Sequence, residues 1–326
     1  SDNIAIGTCW YSIDTSLNMS LPGCSTASIS GLGDGSHIIR VYVNDSARNT
    51  NSSSVNFNVA SSPPSWSNMQ SSTPLKYSST SSFFNITWTS INTISNVLFE
   101  SNFSGSAVNY TMNLISGDIY GFNVILPAGT FYWRSYANDP YGNLNSSPMQ
   151  IFTINKADNL IDIYINGNKN QNVSVVYNTE TNVQGAASSD DITLNRDGFS
   201  VSNPDIKILA AKSTGYRYLA NSPDNENYTS NSTEFYLFIN KTSPSLEILI
   251  DENAANKSIT YLNVVNVSSY ENNVGDGDLV YSLLENGNII GSSSSVNKTG
   301  IFGAGFYNYT YFTNGGENYT SGSLTR

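Results

Sequence analysis

Four copies of one pattern recur along this sequence, and they constrain its fold more than any other feature. Each copy starts with aromatic or aliphatic residues that alternate with polar ones, then passes through a turn of Asn, Asp or Gly into an Asn- and Ser/Thr-rich stretch. In the first three copies a second alternating strand follows. The copies lie about 90 residues apart and span 37–59, 131–155, 216–240 and 306–326. A β-hairpin that returns at such a period predicts a tandem array of all-β modules.

The hairpins also predict where one module ends and the next begins. Residues 61–65, Ser-Ser-Pro-Pro-Ser, read as a short stiff linker, and an Ile-Asn-Lys triplet marks the same join at 154–156 and at 239–241. Joins this short restrict the motion of neighbouring modules. The predicted domains are 1–60, 61–155, 156–240 and 241–326.

On this interpretation the first domain lacks its first strands and the fourth lacks its last strand. The first has about 60 residues, against about 100 for a typical sandwich of two sheets, and the fourth stops at Arg326, where the others begin their last strand. A sandwich without its edge strands leaves backbone groups unpaired and its core open. We expect that the polypeptide continues in both directions. The alternative is that neighbouring subunits donate the missing strands.

Composition argues against several classes of partner. Charged residues make up 12% of the chain, and its formal net charge is −11 with 14 Lys and Arg. Nucleic acid and anionic lipid surfaces both require clustered cations, so we expect neither as a partner. No apolar run reaches the roughly 18–20 residues of a membrane span. Weak electrostatic repulsion between copies favours self-association instead.

The two cysteines predict a local disulfide. Cys9 and Cys24 lie symmetrically about a hairpin loop at Thr15–Asn18, so this hairpin would place them directly opposite each other. Closing a loop of about 15 residues stabilises a fold by about 3 kcal/mol on the chain-entropy model. A disulfide indicates an oxidising, extracellular compartment. The alternative is a pair of free, buried thiols.

Several motifs resemble the immunoglobulin-like repeats of archaeal surface and secreted proteins. In that family a Cys-Trp-Tyr-Ser motif, an Asp-Gly-Ser-His motif and a Val-Tyr-Ala-Asn-Asp motif follow one another. The matching stretches are Cys9–Asp14, Leu32–His37 and Val41–Asp45, and those of a second repeat type are Gly275–Leu279, Gly303–Tyr309 and Gly315–Thr320. The resemblance covers the first, third and fourth domains, and the second mainly through its closing hairpin. It implies tandem immunoglobulin-like (fibronectin-type-III-like) β-sandwich domains on an archaeal cell surface.

Asn-x-Ser/Thr sequons are frequent in this chain because Asn, Ser and Thr are abundant. Each marks a possible acceptor for N-glycosylation, and those at strand ends and hairpin turns are the best candidates because such positions are exposed. The candidates chosen on this ground are Asn51, Asn145, Asn227, Asn231 and Asn318. We expect several of the chain's sequons to carry glycans.

Candidates for metal binding and catalysis are few. Asp276 and Asp278 alternate as calcium ligands do, but the full calcium loop with its bidentate Glu is missing, and a Gly-Asp-Gly-Asp stretch is typical of a solvated turn. Asp34 reads as a turn residue too. The single histidine, His37, starts an alternating strand and is expected at a surface or sheet edge, without a Ser-His-Asp grouping. We predict no catalytic residue, no metal, no cofactor and no enzyme activity.

Two functions fit these inferences. The first is a structural extracellular protein, a segment of a longer repeat chain that self-associates into a filament, sheath or surface layer. The second is an adhesin stalk, or a module that binds a glycan or a cell-surface ligand. Tyrosines that alternate along the hairpin strands are expected in the core, although exposed rings could form a glycan platform. They are Tyr216, Tyr218, Tyr307, Tyr309 and Tyr311. Low charge and short joins favour the first function.

Overall fold

The computed structural model describes residues 5–275 and 277–326, and it is built from β-strands. No α-helix occurs within these two ranges, and the one helical segment is a 3-10 turn at Pro22–Cys24. Strands suit a chain in which Val, Ile, Thr and Tyr alternate with small polar residues. The chain divides into two compact units, Ser1–Ala157 and Asp158–Arg326.

The first unit begins with one antiparallel sheet. Its strands, in the spatial order β2-β1-β3-β4, are β1 Ile6–Ile13, β2 Met19–Ser20, β3 Gly35–Asp45 and β4 Thr50–Val59. The hairpin predicted at 37–59 therefore consists of β3 and β4, with His37 opposite Phe57. Ile13 pairs with Ile39, and the alternation of the strands makes one face of the sheet apolar. Within 5–60 this is the only sheet that the structure describes.

Two further sheets in the first unit form a sandwich. Their strands are β5 Ser65–Ser72, β6 Ser82–Thr89, β7 Asn96–Ser101, β8 Val108–Thr111, β9 Asn113–Ser116, β10 Ile119–Val124, β11 Gly129–Asn138, β12 Leu144–Ser146 and β13 Gln150–Ile154. One sheet has the order β5-β6-β10-β9, and the other has the order β12-β11-β7-β8, with β13 also paired to β11. Alternation along β6 buries Phe84, Ile86 and Trp88, which share a core with Phe99 and Trp133.

The second unit starts with another sandwich. Its strands are β14 Ile161–Ile165, β15 Asn168–Lys169, β16 Val173–Val176, β17 Glu180–Ala187, β18 Thr193–Arg196, β19 Phe199–Val201, β20 Asp205–Ile208, β21 Lys212–Ser222 and β22 Asn231–Asn240. The two sheets have the orders β15-β14-β17-β20 and β16-β22-β21-β18-β19. Strand β16 runs parallel to β22. The hairpin of β21 and β22 contributes Tyr218, Leu237 and Ile239 to the core.

The last sandwich completes the second unit. Its strands are β23 Leu246–Ile250, β24 Val264–Glu271, β25 Tyr281–Glu285, β26 Asn288–Gly291, β27 Ser295–Ile301, β28 Tyr309–Thr313 and β29 Gly322–Thr325. The sheets have the orders β23-β24-β27 and β26-β25-β28-β29, around a core that includes Ile248, Val267, Leu283 and Tyr311. The strand that we expected to be missing is present in part, because β29 pairs with β28 as β22 pairs with β21.

One sheet has the same strand order in all four repeats. These orders are β2-β1-β3-β4, β8-β7-β11-β12, β19-β18-β21-β22 and β26-β25-β28-β29, with the repeated hairpin last. In the last three repeats a second sheet, centred on β6, β17 or β24, contributes to a shared core. Antiparallel sheets in this arrangement make an immunoglobulin-like, fibronectin-type-III-like sandwich. The predicted fold class is confirmed, and the domain borders stay a prediction.

Candidate functional site

Cys9 and Cys24 form a disulfide, with their Cα atoms 5.2 Å apart. The register that we predicted for this hairpin is wrong, because the carbonyl of Cys9 accepts the N–H of Leu21 and Cys24 lies beyond the paired strand. Pro22 has no N–H with which to extend the ladder. Positive φ values at Gly23 (67°) and Cys24 (52°) then fold the chain back towards β1. The bridge therefore fastens a turn to the side of β1.

Asp34 holds the linker that follows the first sheet. One carboxylate oxygen accepts the N–H and the hydroxyl of Ser61, both at 2.6 Å, and the other accepts the N–H of Ser62 at 2.8 Å. These hydrogen bonds, with those from Ser61 first, hold the pKa of Asp34 far below its ordinary value. Asp34, which the sequence predicts to be a turn residue, is thus an ionised side chain that hydrogen-bonds to residues 61–62.

The hairpin turn of the second sandwich holds the same linker. Asn143 Nδ2 donates to the carbonyl of Ala60 at 2.9 Å, and Asn145 Nδ2 donates to that of Pro64 at 2.8 Å. Asp139 orders this turn, because its carboxylate accepts both the N–H and the Nδ2 of Asn143 at 2.9 Å. The linker is therefore hydrogen-bonded to the repeat that precedes it and to the repeat that follows it.

Three of the candidate glycosylation sites lie near the start of the last strand of their hairpins, and in each the side-chain oxygen accepts the N–H of the next serine at 2.8–2.9 Å. They are Asn51, Asn145 and Asn231. The Nδ2 groups of Asn145 and Asn231 also donate to the carbonyls of Pro64 and Asn159, at 2.8 and 2.7 Å. The Nδ2 of Asn51 has no such partner in the described chain, and the side chain is exposed. Asn51 is therefore the most accessible acceptor of the three.

Asn318 does not have the exposure that we expected of a glycosylation site. Its side chain is only 4% exposed, and its Oδ1 accepts the N–H of Ala211 at 2.7 Å. A bulky surface glycan does not fit on a side chain buried in this way. Asn227, the fifth candidate, is half-buried in the corresponding turn of the third repeat.

His37 bridges two segments of the first repeat. Its Nδ1 lies 2.8 Å from Oδ2 of Asp14, and its Nε2 lies 2.7 Å from the carbonyl oxygen of Gly33. Both partners are acceptors, so the site fits the imidazolium, which donates from both nitrogens, better than either neutral tautomer. The hydrogen bond to Asp14 and then that to Gly33 raise the pKa of His37. Through these two hydrogen bonds, the His37 ring holds the segment before β3 against the end of β1.

The possible calcium pair is untested, because Asp276 lies outside the described residues. Asp278 accepts the N–H of Glu317 at 2.9 Å through Oδ2. In the ranges 5–275 and 277–326, no three His, Cys, Asp or Glu side chains come together as a metal site. The observed role of Asp278 is to hold the turn that precedes β29.

Two tyrosines fasten the third sandwich to the fourth. Tyr177, after β16, and Tyr319, before β29, have ring centroids 5.6 Å apart at an interplanar angle of 74°. The Tyr319 hydroxyl donates to the carbonyl of Val274 and accepts its N–H, both at 3.0 Å, while the Tyr177 hydroxyl donates to the carbonyl of Gly275 at 3.2 Å. Only glycine suits position 275, since φ is 75° and a Cβ would lie 2.5 Å from the Tyr177 hydroxyl. Both rings belong to the core of the third sandwich.

The linker between these two sandwiches is bonded to the same turn. The N–H of Thr242 donates to the carbonyl of Asn318 at 3.0 Å, and the carbonyl of Thr242 accepts the N–H of Thr320 at 2.8 Å. Lys241 Nζ donates to the carbonyl of Gly316 at 2.6 Å. We refer to Tyr177, Thr242, Asn318 and Tyr319 as the junction cluster. Sequence reasoning missed it, although a Glu-Asn-Tyr-Thr motif repeated at 226–229 and 317–320 could have drawn attention to it.

The hairpin tyrosines belong mainly to the sandwich cores. Tyr218, Tyr309 and Tyr311 are at most 4% exposed, and burial raises the pKa of each hydroxyl. Tyr216 is half-buried, and its hydroxyl donates to a backbone carbonyl within its own repeat. Tyr307, with 38% of its surface exposed, is the most exposed of the five. These rings therefore do not form a continuous exposed platform.

None of the helical structure in the described residues is long and apolar enough to cross a lipid bilayer.

No known family is found for the chain: no protein-family model and no curated protein matches it. Among solved structures, titin domains A168–A170 match with a TM-score of 0.32 and 11% identity, over 81% of this chain and 96% of the other. A Ca²⁺-stabilized adhesin that helps an Antarctic bacterium bind ice matches with a TM-score of 0.32 and 12% identity, over 99% of this chain and 89% of the adhesin chain. Fibronectin(III)-like modules of CbhA from Clostridium thermocellum match with a TM-score of 0.20 and 13% identity, over 53% of this chain and 94% of the other. These distant likenesses assign no function.

Proposed function

We propose that this chain is a structural segment of an extracellular surface protein that self-associates into a filament, sheath or surface layer. The observation that carries the proposal is the junction cluster, which joins two consecutive sandwiches through buried side chains and backbone hydrogen bonds. A fixed join keeps the spacing between repeats constant. Constant spacing lets identical surfaces recur in register, as a regular assembly requires.

The first unit supports the same proposal with a different set of residues. Asp34, Asn143 and Asn145 hydrogen-bond to the linker from the repeats on its two sides. In the first unit, carboxylate and amide groups thus fix the join between two repeats, as tyrosine rings do in the second unit. We propose that each predicted domain, with its borders at 60, 155 and 240, is one repeat of such an array.

The disulfide supports an extracellular location, because such bonds persist in oxidising compartments. The resemblance of the sequence motifs to archaeal surface repeats supports an archaeal cell surface. A chain with 12% charged residues also has few long charged side chains to keep copies apart. We propose that Asn51 carries a glycan in that setting.

The adhesin alternative receives less support from these residues. A glycan platform needs exposed aromatic rings, and Tyr218, Tyr309 and Tyr311 pack in the cores. A stalk, by contrast, would use the same fixed joins as a filament. We therefore retain the structural function as the conclusion.

Negative-stain electron microscopy of the purified chain, at rising protein concentration, tests the proposal. We expect ordered filaments or two-dimensional lattices. Tyr319→Ala, which removes a buried ring of the junction cluster, should abolish the order, and Tyr141→Ala, whose ring is 61% exposed, should leave it unchanged. Dispersed particles at every concentration would overturn self-association. Equal order in both variants would overturn the role of the join.

A further inference from the structure

In each of the three sandwiches, two consecutive strands joined by a very short connection are outermost strands of the two sheets. They are β8 and β9 in the second sandwich, β19 and β20 in the third, and β26 and β27 in the fourth. In the described chain each of them pairs with a neighbour on one side only. An outermost strand offers unpaired backbone groups to a strand of another copy, so natural proteins protect it. We refer to these three pairs of strands as the free edges.

The free edge of the third sandwich is protected by its own residues. Strand β20 contains Asp205 and Lys207, and Pro204 precedes it. The side chain of Asp205 is buried, so this charge points inward. Inward-pointing charges, lysine and proline all discourage the pairing of an edge strand with another chain. Residues 199–208 contain no Asn-x-Ser/Thr sequon.

The free edge of the second sandwich has none of these devices. Residues 108–116 contain no charged residue and no proline. Leu114 and Ile115 on this edge are 59% and 53% exposed. An uncharged edge strand with exposed apolar side chains is a site of edge-to-edge association unless something covers it. What this edge does contain is a sequon at Asn109.

The side chain of Asn109 is accessible as a glycan acceptor. Tyr110 packs against the core, so the alternation along β8 turns Asn109 and Thr111 to the outer face, where both are exposed. Asn109 lies opposite Glu100, whose carboxylate is bonded to Arg134 at 2.9 and 3.1 Å. The amide of Asn109 has no hydrogen-bond partner in the described chain. Its Nδ2 is therefore free for modification.

The free edge of the fourth sandwich has the same arrangement. Val296 packs against the core, so Asn297, which starts an Asn-Lys-Thr sequon, faces outward and is exposed. The one charged residue of 288–301 is Lys298, and its Nζ donates to Glu285 at 2.7 Å. The amide of Asn297 has no hydrogen-bond partner in the described chain. A sequon thus occurs on both free edges that lack proline, and none occurs on the edge that has it.

We propose that Asn109 and Asn297 carry N-linked glycans that protect the free edges of the second and fourth sandwiches. A bulky, hydrated sugar chain beside an edge strand blocks the approach of a second strand, as Pro204 and Lys207 do in the third sandwich. These glycans require the extracellular location proposed above. They exclude the free edges from the contacts between copies, so an ordered assembly uses other surfaces of the repeats.

Mass spectrometry of glycopeptides from native material tests the proposal, with a second sequon in each sandwich as the matched control. The controls, Asn85 on β6 and Asn266 on β24, are half-buried on strands that pair on both sides. We expect glycan on Asn109 and Asn297 in most copies of the chain, and none on Asn85 or Asn266. An unmodified Asn109 or Asn297, or equal occupancy of all four residues, would overturn the proposal.

Two variants produced in the native host test what the glycan does. Thr111→Ala removes the sequon of Asn109, and Thr87→Ala removes that of Asn85. In Thr111→Ala, hydrogen exchange of 108–116 should slow at least about tenfold as protein concentration rises, because a second copy then pairs with the edge. Asn109→Gln should reproduce this result, and Thr87→Ala should show no dependence on concentration. Exchange that is independent of concentration in Thr111→Ala would overturn the protective role.

Glycan occupancy and edge exchange are read separately from self-association. Dispersed particles in the microscope, with glycan on Asn109 and Asn297, would contradict the proposed structural function and leave edge protection in place. Glycan on Asn51 without glycan on Asn109 and Asn297 would overturn edge protection and leave the extracellular location in place.

Discussion

Replacing Tyr319 with Phe removes one hydroxyl and keeps the ring, so it isolates the hydrogen bonds of the junction cluster. That hydroxyl donates to the carbonyl of Val274 and accepts its N–H, both at 3.0 Å. Val274 is itself partly exposed, so each bond is counted at its net value of about 0.5–1.5 kcal/mol. We expect Tyr319→Phe to lower the free energy of unfolding of the second unit by about 1–3 kcal/mol.

A double-mutant cycle with Tyr177→Phe sharpens this prediction. The two hydroxyls share a partner, because that of Tyr177 also lies 3.3 Å from the carbonyl of Val274. Mutations at groups that share a partner are not additive. The sum of the two single losses of unfolding free energy should therefore differ from the loss in the double variant by at least about 0.5 kcal/mol.

The distribution of tryptophan makes the assay selective. All four tryptophans lie in the first unit. Tryptophan fluorescence during urea unfolding therefore reports on that unit, while hydrogen exchange of peptides from 158–326 reports on the second. Tyr319→Phe should change the second signal and leave the first unchanged. Tyr261→Phe, at a ring 63% exposed, should change neither by more than about 0.5 kcal/mol. A Tyr319→Phe variant as stable as Tyr261→Phe would refute the assigned role of the junction cluster.

Three other predictions concern the first repeat and the sequons. Reducing the disulfide should raise hydrogen exchange within 6–59 and leave the three sandwiches protected; melting of the whole chain would contradict modular stability. Since folding raises the pKa of His37 above 6.5, its protonated form stabilises the first repeat fully below pH 6.5, and this contribution disappears as pH rises through the folded pKa. The NMR titration of this single histidine should have its midpoint above pH 6.5. A lower midpoint would count against the hydrogen bonds of His37 to Asp14 and Gly33. Mass spectrometry of native material should find glycan on Asn51 and none on Asn318; the reverse would show that burial does not control occupancy.

Much of the fold follows from the periodicity of the sequence. The hairpin at 216–240 alternates apolar and polar residues, and its strands pair Tyr218 with Phe235 and Tyr216 with Leu237. A period of two puts such residues on the same face whatever the rest of the chain does, so a local pattern suffices. The same reasoning predicts the all-β class and the core position of Tyr311, because each depends only on a strand and its nearest partner.

The errors come from effects that alternation does not describe. The cysteine register fails because Pro22 ends the ladder and a turn with two positive φ values carries Cys24 around to β1. Asp34 looks like any aspartate before glycine, and its role depends on a linker 27 residues away. Asn318 fits the sequon pattern, but its side chain is 4% exposed, and its Oδ1 accepts the N–H of Ala211, more than 100 residues earlier. At Asp34 and Asn318 the missing information is a contact with a distant segment, whereas at the cysteines it is the geometry of one local turn.

Tyr177 and Tyr261 show why the sites of such a chain lie between elements rather than within them. Each tyrosine leads through a residue of positive φ into the central strand of its sheet, so the local sequence gives both the same position. Yet Tyr177 is 9% exposed and Tyr261 is 63% exposed. Tyr177 packs against Tyr319 and bonds to the end of β22, whereas 257–260 and Tyr261 border an open groove. Burial at this end of a repeat is therefore set by the strand and the sandwich that cover it.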